Sequence, residues 1–258
     1  MLSAKGKKFL RPALIVVVAG VLLSAMPSAG RYFLQNPIRS DPAPQLDTMA
    51  RWINSLDAEG RVHVETFSSF RRETAPIPWN EQMARISVQL PTRTKVPLLG
   101  GYYSGFFTGF NAVNFFSGEW MGKKLSEWTE KGLSDALKRY HVSYLLTWSE
   151  EAGEGLARFP GVVEQMEAPP PFSGWRVLSP GDWFLEGSGR LASYGYDRLE
   201  FDGVESQATR AVVSFHWAPT LSADGAEIVP VDVAGSTMPF IGLVDPSDKV
   251  TITNESAW

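Results

Sequence analysis

The sequence predicts an α+β fold with one N-terminal transmembrane helix, then a small α/β domain, then an antiparallel β-sandwich domain. Three observations support this fold class. The chain begins with a basic segment that runs into an uncharged apolar stretch. Amphipathic helical patterns then lead directly into short apolar strands, which is typical of an α/β unit. Beyond residue 170, Gly, Asp-Gly and Pro signals recur about every 8–12 residues, a spacing typical of a β-sandwich.

The N-terminal segment has the length of a membrane span. Residues 12–30 carry no charged side chain, and a helix needs about 20 apolar residues to cross the hydrocarbon core. We expect a retained anchor, with a cleaved signal peptide as the alternative because residues 28–30 are small. The preceding cations place the N-terminus in the cytoplasm and the C-terminal domains in an extracytoplasmic location. These cations are Lys5, Lys7, Lys8 and Arg11.

We therefore divide the chain into four parts. Residues 1–31 form the cytoplasmic tail and transmembrane helix, and residues 32–44 form a Pro-containing linker. Residues 45–170 form the α/β domain and residues 171–258 the β-sandwich domain.

Composition excludes several classes of protein. The 258 residues include no Cys, so disulfides, thiolate metal sites and Cys nucleophiles are absent. The three His residues form none of the paired motifs of zinc hydrolases. Residues 1–31 contain five of the 24 basic residues and none of the 28 acidic ones, which leaves 19 basic and 28 acidic residues, a net charge of −9, for the remainder. This acidity disfavours nucleic-acid binding.

Helices and strands alternate in the α/β domain. Apolar residues from Leu46 to Leu56 follow a helical period, and Gly60 ends that helix. Residues 61–65 then alternate as a half-buried strand. A second helix over 133–140 leads into 142–148, a run that is apolar on both faces and therefore predicts a buried central strand. A short helix over 150–158 and a strand at 162–166 follow.

In the β-sandwich domain the clearest strands are 211–217 and 250–253. The segment Met238–Ile241 predicts an edge strand, because Pro239 has no N–H to donate to a neighbour.

A Gly-rich aromatic tract spans residues 100–110. Tyr102, Tyr103 and Phe106 lie in it, and Asn111 follows it. Such residues either pack in the core or form a loop whose backbone and aromatic faces approach a ligand. Neither phosphate-binding Gly motif is present. Both interpretations stay open for these four candidate ligand-binding residues.

Two further groups are candidates for ligand binding. Trp148 and Glu150 follow the predicted central strand at the end where ligands bind in open α/β sheets. Glu150, Glu151 and Glu154 also have a structural interpretation, because acidic residues stabilise the first turn of a helix. Trp217 could join an aromatic platform for sugars, or fill the core. The other residues considered for that platform are Trp175, Trp183, His216 and Trp258.

The order of the motifs resembles a known family. The segments are MARWINSLDAEGRVHVE, LGGYYSG, FNAVN, LSDALKRYHVSYLLTWS, VVSFHWAPTL, MPFIGLV and KVTITN. Together they resemble, over nearly all of the chain, the extracytoplasmic C-terminal region of polytopic membrane glycosyltransferases of the GT-C type, the YfhO-like or 6-pyruvoyl-tetrahydropterin synthase-related membrane proteins. The resemblance implies that catalysis belongs to a multi-span part of such proteins, so no catalytic residue carries over to this chain.

These observations lead to a functional expectation. We expect a membrane-anchored, non-catalytic accessory or recognition domain of a GT-C-like cell-envelope glycosyltransferase system. A polytopic membrane protein and a glycan or lipid-linked sugar are the expected partners, and no cofactor, metal or nucleic acid is predicted. A stand-alone carbohydrate-binding or assembly module is the alternative, and a hydrolase is a further one.

Overall fold

The computed structural model describes residues 44–66, 90–99, 113–170, 172–195 and 197–254. Over these residues the fold is α+β and rich in β-structure, with three α-helices and four β-sheets. None of the described helices is long and apolar enough to span a membrane. The predicted span at 12–30 lies outside the described residues.

A five-stranded mixed sheet forms the first part of the fold. Its strands are β1 (Arg61–Val64), β2 (Leu98–Leu99), β6 (Val142–Thr147), β7 (Val163–Met166) and β8 (Ser173–Val177). The spatial order is β2-β1-β6-β8-β7, in which β1 is parallel to both of its neighbours and β8 is antiparallel to both of its own. Because β8 follows residue 170, this sheet extends past the predicted end of the α/β domain.

Three α-helices contact this sheet. They are α1 (Pro44–Ser55), α2 (Glu130–Arg139) and α3 (Glu150–Ala157), and two short 3-10 helices span Leu90–Thr92 and Leu125–Glu127. The apolar side of α1 is buried with Val62 and Val64 of β1 in one cluster. Hydroxyl groups cap the other two helices: Thr129 accepts from the N–H of Gly132, and Ser149 accepts from the N–H of Ala152. All three helices lie where the periodicity predicted them, with α2 beginning three residues earlier.

A small sheet next to β1 was not predicted. It consists of β3 (Phe115–Phe116), β4 (Glu119–Trp120) and β5 (Lys123–Lys124). Ser117 and Gly118 connect the first two strands with φ values of 45° and 74°, as a two-residue hairpin turn with two positive φ angles requires. Strands of two residues are too short to show a period in the sequence.

Two four-stranded antiparallel sheets make up the remainder. Their strands are β9 (Phe184–Glu186), β10 (Ser188–Tyr194), β11 (Arg198–Glu205), β12 (Arg210–His216), β13 (Leu221–Asp224), β14 (Glu227–Val231), β15 (Phe240–Val244) and β16 (Lys249–Asn254). The spatial orders are β10-β11-β16-β13 and β14-β15-β12-β9. Phe201 and Ile252 of one sheet and Phe215 and Ile241 of the other belong to one buried cluster. The predicted strands at 211–217 and 250–253 are β12 and β16.

The edge strand was predicted in the wrong place. Phe240 and Ile241 belong to β15, which lies between β14 and β12 in the interior of its sheet. Pro239 only precedes this strand. One of the two edge strands of this sheet is β14, which contains Pro230 opposite Ile241. The rule that Pro belongs to edge strands holds, and the sequence contained a second Pro to which it applied.

Strand β1 is also more deeply buried than predicted. Residues 61–65 alternate between polar and apolar side chains, which indicated one face in water. Instead all five are buried, because the α1 cluster covers Val62 and Val64 and other elements cover Arg61, His63 and Glu65. The three polar side chains are each 0% exposed.

Candidate functional site

Arg61, His63 and Glu65 form a buried polar row along one side of β1 and its carboxyl end. Burying a polar or charged group without partners costs several kcal/mol, and each of these three side chains has at least one hydrogen-bond partner within the protein. Ligands in open α/β sheets bind at the carboxyl end of the parallel strands.

Arg61 joins the mixed sheet to the antiparallel sheets. Its Nη1 donates to the carbonyl of Tyr140 at 2.5 Å and to Ser214 Oγ at 2.9 Å, and its Nη2 donates to the carbonyl of Ser214 at 2.6 Å. Its guanidinium carbon lies 4.5 Å from the ring centre of Trp183 and 4.2 Å from that of Phe215. No described Asp or Glu forms an ion pair with it, and burial lowers the pKa of Arg61 to about 9.

Gly60, which precedes Arg61, allows the backbone to approach His141 closely enough to place Arg61 at this junction. A Cβ on Gly60 would lie 2.3 Å from the carbonyl oxygen of His141, so a side chain here would clash with backbone. The N–H of Arg61 donates to that same carbonyl at 2.7 Å. In the Gly-Arg-Val motif, Gly60 therefore permits the close backbone approach, Arg61 joins the two sheets and Val62 packs in the core.

His63 lies in an aromatic environment. Its Nδ1 accepts a hydrogen bond from Trp120 Nε1 at 2.9 Å, and its ring centre is 5.5 Å from that of Phe115. Burial lowers the pKa of His63 to about 3. The neutral ring is thus the stable form, with Nδ1 as the acceptor.

Glu65 follows β1 at the carboxyl end of the parallel strands. Its Oε2 accepts from the main-chain N–H groups of Trp148 at 2.8 Å and Ser149 at 3.0 Å, and its Oε1 accepts from Ser149 Oγ at 2.5 Å. The N–H of Ser117 also bonds this carboxyl, and burial raises its pKa against these hydrogen bonds. Glu65 therefore occupies, at the N-terminus of α3, the place where α/β folds commonly bind anions.

The three predicted ligand-binding residues that the structure describes do not form one site. Trp148 lies at the carboxyl edge, but its half-buried side chain packs against the α1 cluster. Glu150 is exposed in the first turn of α3. Trp217 is half-buried against the core of the antiparallel sheets, a different cluster. The other four predicted residues lie outside the described residues, namely Tyr102, Tyr103, Phe106 and Asn111.

Of the two interpretations of the aromatic platform residues, core packing applies to three of them. Trp175 is buried in the core beneath α2 and α3, and Trp183 in the core of the antiparallel sheets. His216 is 1% exposed and lies 3.3 Å from the hydroxyl of Tyr140. These rings fill cores because a small two-sheet core needs bulky side chains. Trp258 lies outside the described residues.

A charged cleft of about 380 Å³ opens beside the Glu65 network. The β3–β4 turn and α3 form its walls, and Ser117 lines it while its N–H bonds Glu65. Its charged side chains are Glu119, Lys124, Glu151, Glu154 and Arg158. None of these five forms an ion pair or side-chain hydrogen bond with another described residue. The sequence pattern pointed to the Glu residues of α3 but contained no signal for the hairpin that completes the cleft.

Comparisons with known proteins identify no relative of this chain. No family model, no curated protein and no solved structure matches the chain. Among the residues that the structure describes, no group of three or more His, Asp or Glu side chains is arranged to hold a metal ion.

The His63 environment makes stability depend on pH. The pKa of His63 falls from 6.5 to about 3 on folding, so its contribution is complete above pH 6.5 and is lost as the pH falls toward 3. Between pH 8 and pH 5 this loss amounts to about 2 kcal/mol. In His63→Gln the amide oxygen can accept from Trp120 and does not titrate. We therefore expect the free energy of unfolding of this variant to fall by about 2 kcal/mol less than that of wild type between pH 8 and pH 5. Urea titrations at both pH values measure the difference.

Comparing the two proteins isolates His63. His216, whose pKa is lowered to about 4, loses stability in the same direction, and Glu65, whose pKa is raised, changes in the opposite one. Both residues are present in wild type and variant. An equal pH dependence in the two proteins would show that His63 is charged or solvated in the folded state.

Proposed function

We propose that this protein is a membrane-anchored, extracytoplasmic accessory or recognition domain of a GT-C-like cell-envelope glycosyltransferase system, and that it is itself non-catalytic. In this proposal residues 12–30 cross the membrane with the N-terminus in the cytoplasm. The α/β part and the β-sandwich that follow project from the other side. The order of motifs that resembles the family supports this assignment.

The observation that carries the non-catalytic role is the state of Glu65. A general acid or base must reach a reacting proton, either directly or through one water. Both oxygens of Glu65 instead accept hydrogen bonds from Trp148 and Ser149, with a side chain that is 0% exposed. The carboxylate best placed for chemistry at the carboxyl edge thus serves to hold the start of α3.

A stand-alone carbohydrate-binding or assembly module is the second candidate, and the charged cleft favours it. A cleft of this volume fits a small ligand, and its side chains retain their hydrogen-bonding capacity. The two candidates differ in whether a polytopic membrane protein accompanies the chain.

Isolation of the full chain with its neighbours tests the proposal. The tagged protein is extracted from membranes in mild detergent, and the proteins that accompany it are identified by mass spectrometry. A second preparation, in which residues 12–30 are replaced by an unrelated single-span helix, separates partners of the anchor from partners of the domain. We expect a polytopic protein with the acidic residues of a GT-C glycosyltransferase in both preparations.

Topology provides the second measurement. A C-terminal tag is expected to be digested by protease added to intact spheroplasts, while a cytoplasmic control protein is protected. Protection of the tag would contradict the extracytoplasmic location. A correctly exported protein without any polytopic partner would contradict the accessory role and favour the stand-alone module.

A further inference from the structure

We propose that the charged cleft binds a small polyhydroxylated ligand, a mono- or disaccharide that is neutral or carries an amino group. This inference rests on the proposed function, because an envelope glycosyltransferase system would bring such molecules to the domain. The side chains that line the cleft indicate the ligand class.

The lining offers both hydrogen-bond donors and hydrogen-bond acceptors. Glu119, Glu151 and Glu154 can only accept hydrogen bonds when ionised, and Lys124 and Arg158 can only donate them. Each hydroxyl of a sugar both donates and accepts, so neighbouring hydroxyls satisfy both kinds of side chain at once. A ligand with charges of a single sign would match only part of the lining.

The net charge of the cleft further restricts the class of ligand. Three carboxylates and two cations give the cleft a formal net charge of −1 within an exported part of the chain that is itself acidic. Repulsion by this surface disfavours phosphorylated or carboxylated sugars. A neutral sugar incurs no such penalty, and an amino sugar is attracted.

The walls of the cleft are held in place before any ligand arrives. The N–H of Leu125 donates to the carbonyl of Gly118 at 2.8 Å, which fixes the hairpin turn to the 3-10 helix. On the opposite side, a Cβ on Gly155 would lie 2.8 Å from Leu125 Cβ, so α3 packs directly against this residue. The backbone of these walls is therefore in place before binding, and the entropy lost on binding is that of ordering the exposed charged side chains.

This site differs from the one the aromatic residues suggested. Trp148 packs against the α1 cluster and Trp217 against the antiparallel core, and neither lines the cleft. Recognition here depends on hydrogen bonds from charged side chains. We therefore expect weak binding with strong dependence on individual hydroxyl groups, because a site built for hydrogen bonds rejects analogues that lack them.

Ligand titration of the detergent-purified full chain tests the inference. Saturation-transfer NMR is recorded with glucose, glucosamine, glucose 6-phosphate and cyclohexanol, the last as an apolar ring with one hydroxyl. We expect glucose and glucosamine to bind with dissociation constants on the order of a millimolar. Glucose 6-phosphate and cyclohexanol should bind at least about tenfold more weakly.

Variants locate the binding in the cleft. Glu151→Gln removes one acceptor of the lining and should weaken binding of glucosamine about tenfold, the typical cost of one charge-assisted hydrogen bond. Arg158→Gln removes one donor and should weaken binding of the neutral glucose by a similar factor. Glu127→Gln is the matched control, because Glu127 is exposed on the neighbouring 3-10 helix but does not line the cleft. Exposed substitutions of this kind change stability little, so the variants should stay folded.

The outcomes separate this inference from the proposed function. If sugars bind and Glu151→Gln or Arg158→Gln weakens them, the cleft is the site whether or not a membrane partner is found. If no sugar binds, or if glucose 6-phosphate binds best, the ligand class is wrong even where a polytopic partner supports the accessory role. Saturable binding of Ca²⁺ that Glu151→Gln abolishes, without sugar binding, would overturn the inference in favour of a cation site.

Discussion

Replacing Arg61 with alanine is expected to lower the free energy of unfolding by about 3–5 kcal/mol. The substitution removes three hydrogen bonds to Tyr140 and Ser214 and leaves a cavity against the rings of Trp183 and Phe215. The junction between the mixed sheet and the antiparallel sheets depends on these contacts. Guanidinium chloride unfolding followed by tryptophan fluorescence measures the loss.

Arg61→Met is the matched control, because it keeps most of the side-chain volume and removes the buried charge. The lowered pKa of Arg61 shows that burial disfavours its charged form, so the apolar replacement recovers part of what the lost hydrogen bonds cost. We expect a loss of at most about 2 kcal/mol, below that of the alanine variant. Equal losses in the two variants would mean that the charge, and not the packing, holds the junction.

Removal of the Glu65 side chain is the second large effect. Glu65→Ala leaves the N–H groups of Trp148 and Ser149 and the hydroxyl of Ser149 without their acceptor at the start of α3. Buried donors that lose a charged acceptor cost about 1–3 kcal/mol each, with incomplete additivity, so we expect a total loss of about 3–5 kcal/mol. Glu65→Gln keeps one oxygen for the two N–H groups and should lose about 1–2 kcal/mol. The same unfolding measurement applies.

Small anions provide an independent check on Glu65→Ala. Formate or acetate fits the space of the missing carboxyl and meets the same donors, so either should raise the unfolding midpoint of the variant more than equal chloride does. Wild type, whose site is filled, should respond equally to all three salts. A variant that loses stability without responding to carboxylates would show that the site collapses when Glu65 is removed.

Much of the local structure was predictable because it follows from short-range pattern. The apolar period of α1, the acidic and basic ends of α2, and the run of β6 that is apolar on both faces all reflect contacts within one element and one core. The spacing of turn signals beyond residue 170 likewise reflected the strands of the antiparallel sheets. Such signals survive in the sequence because every element must bury an apolar side.

The candidate site was predictable only in part. The position of Trp148 and Glu150 at the carboxyl edge followed from the strand–helix order, since the carboxyl ends of parallel strands lie at one edge. The charged cleft did not, because one of its walls is a hairpin of two-residue strands. The edge-strand prediction at Pro239 failed for a related reason. Which strand lies at an edge depends on how the sheet is ordered, and a single Pro does not determine that order.

The alternation of residues 61–65 shows which features of a strand the sequence determines and which depend on the tertiary structure. By itself the sequence determined that these residues form a strand whose apolar side, Val62 and Val64, faces a core. Only the tertiary structure decided that Arg61, His63 and Glu65 are buried as well. A polar side chain faces water unless the fold supplies partners for it, and here those partners come from residues more than 50 positions away in the chain. Alternation records which side of a strand is apolar, whereas burial of the other side depends on the distant elements that pack on it.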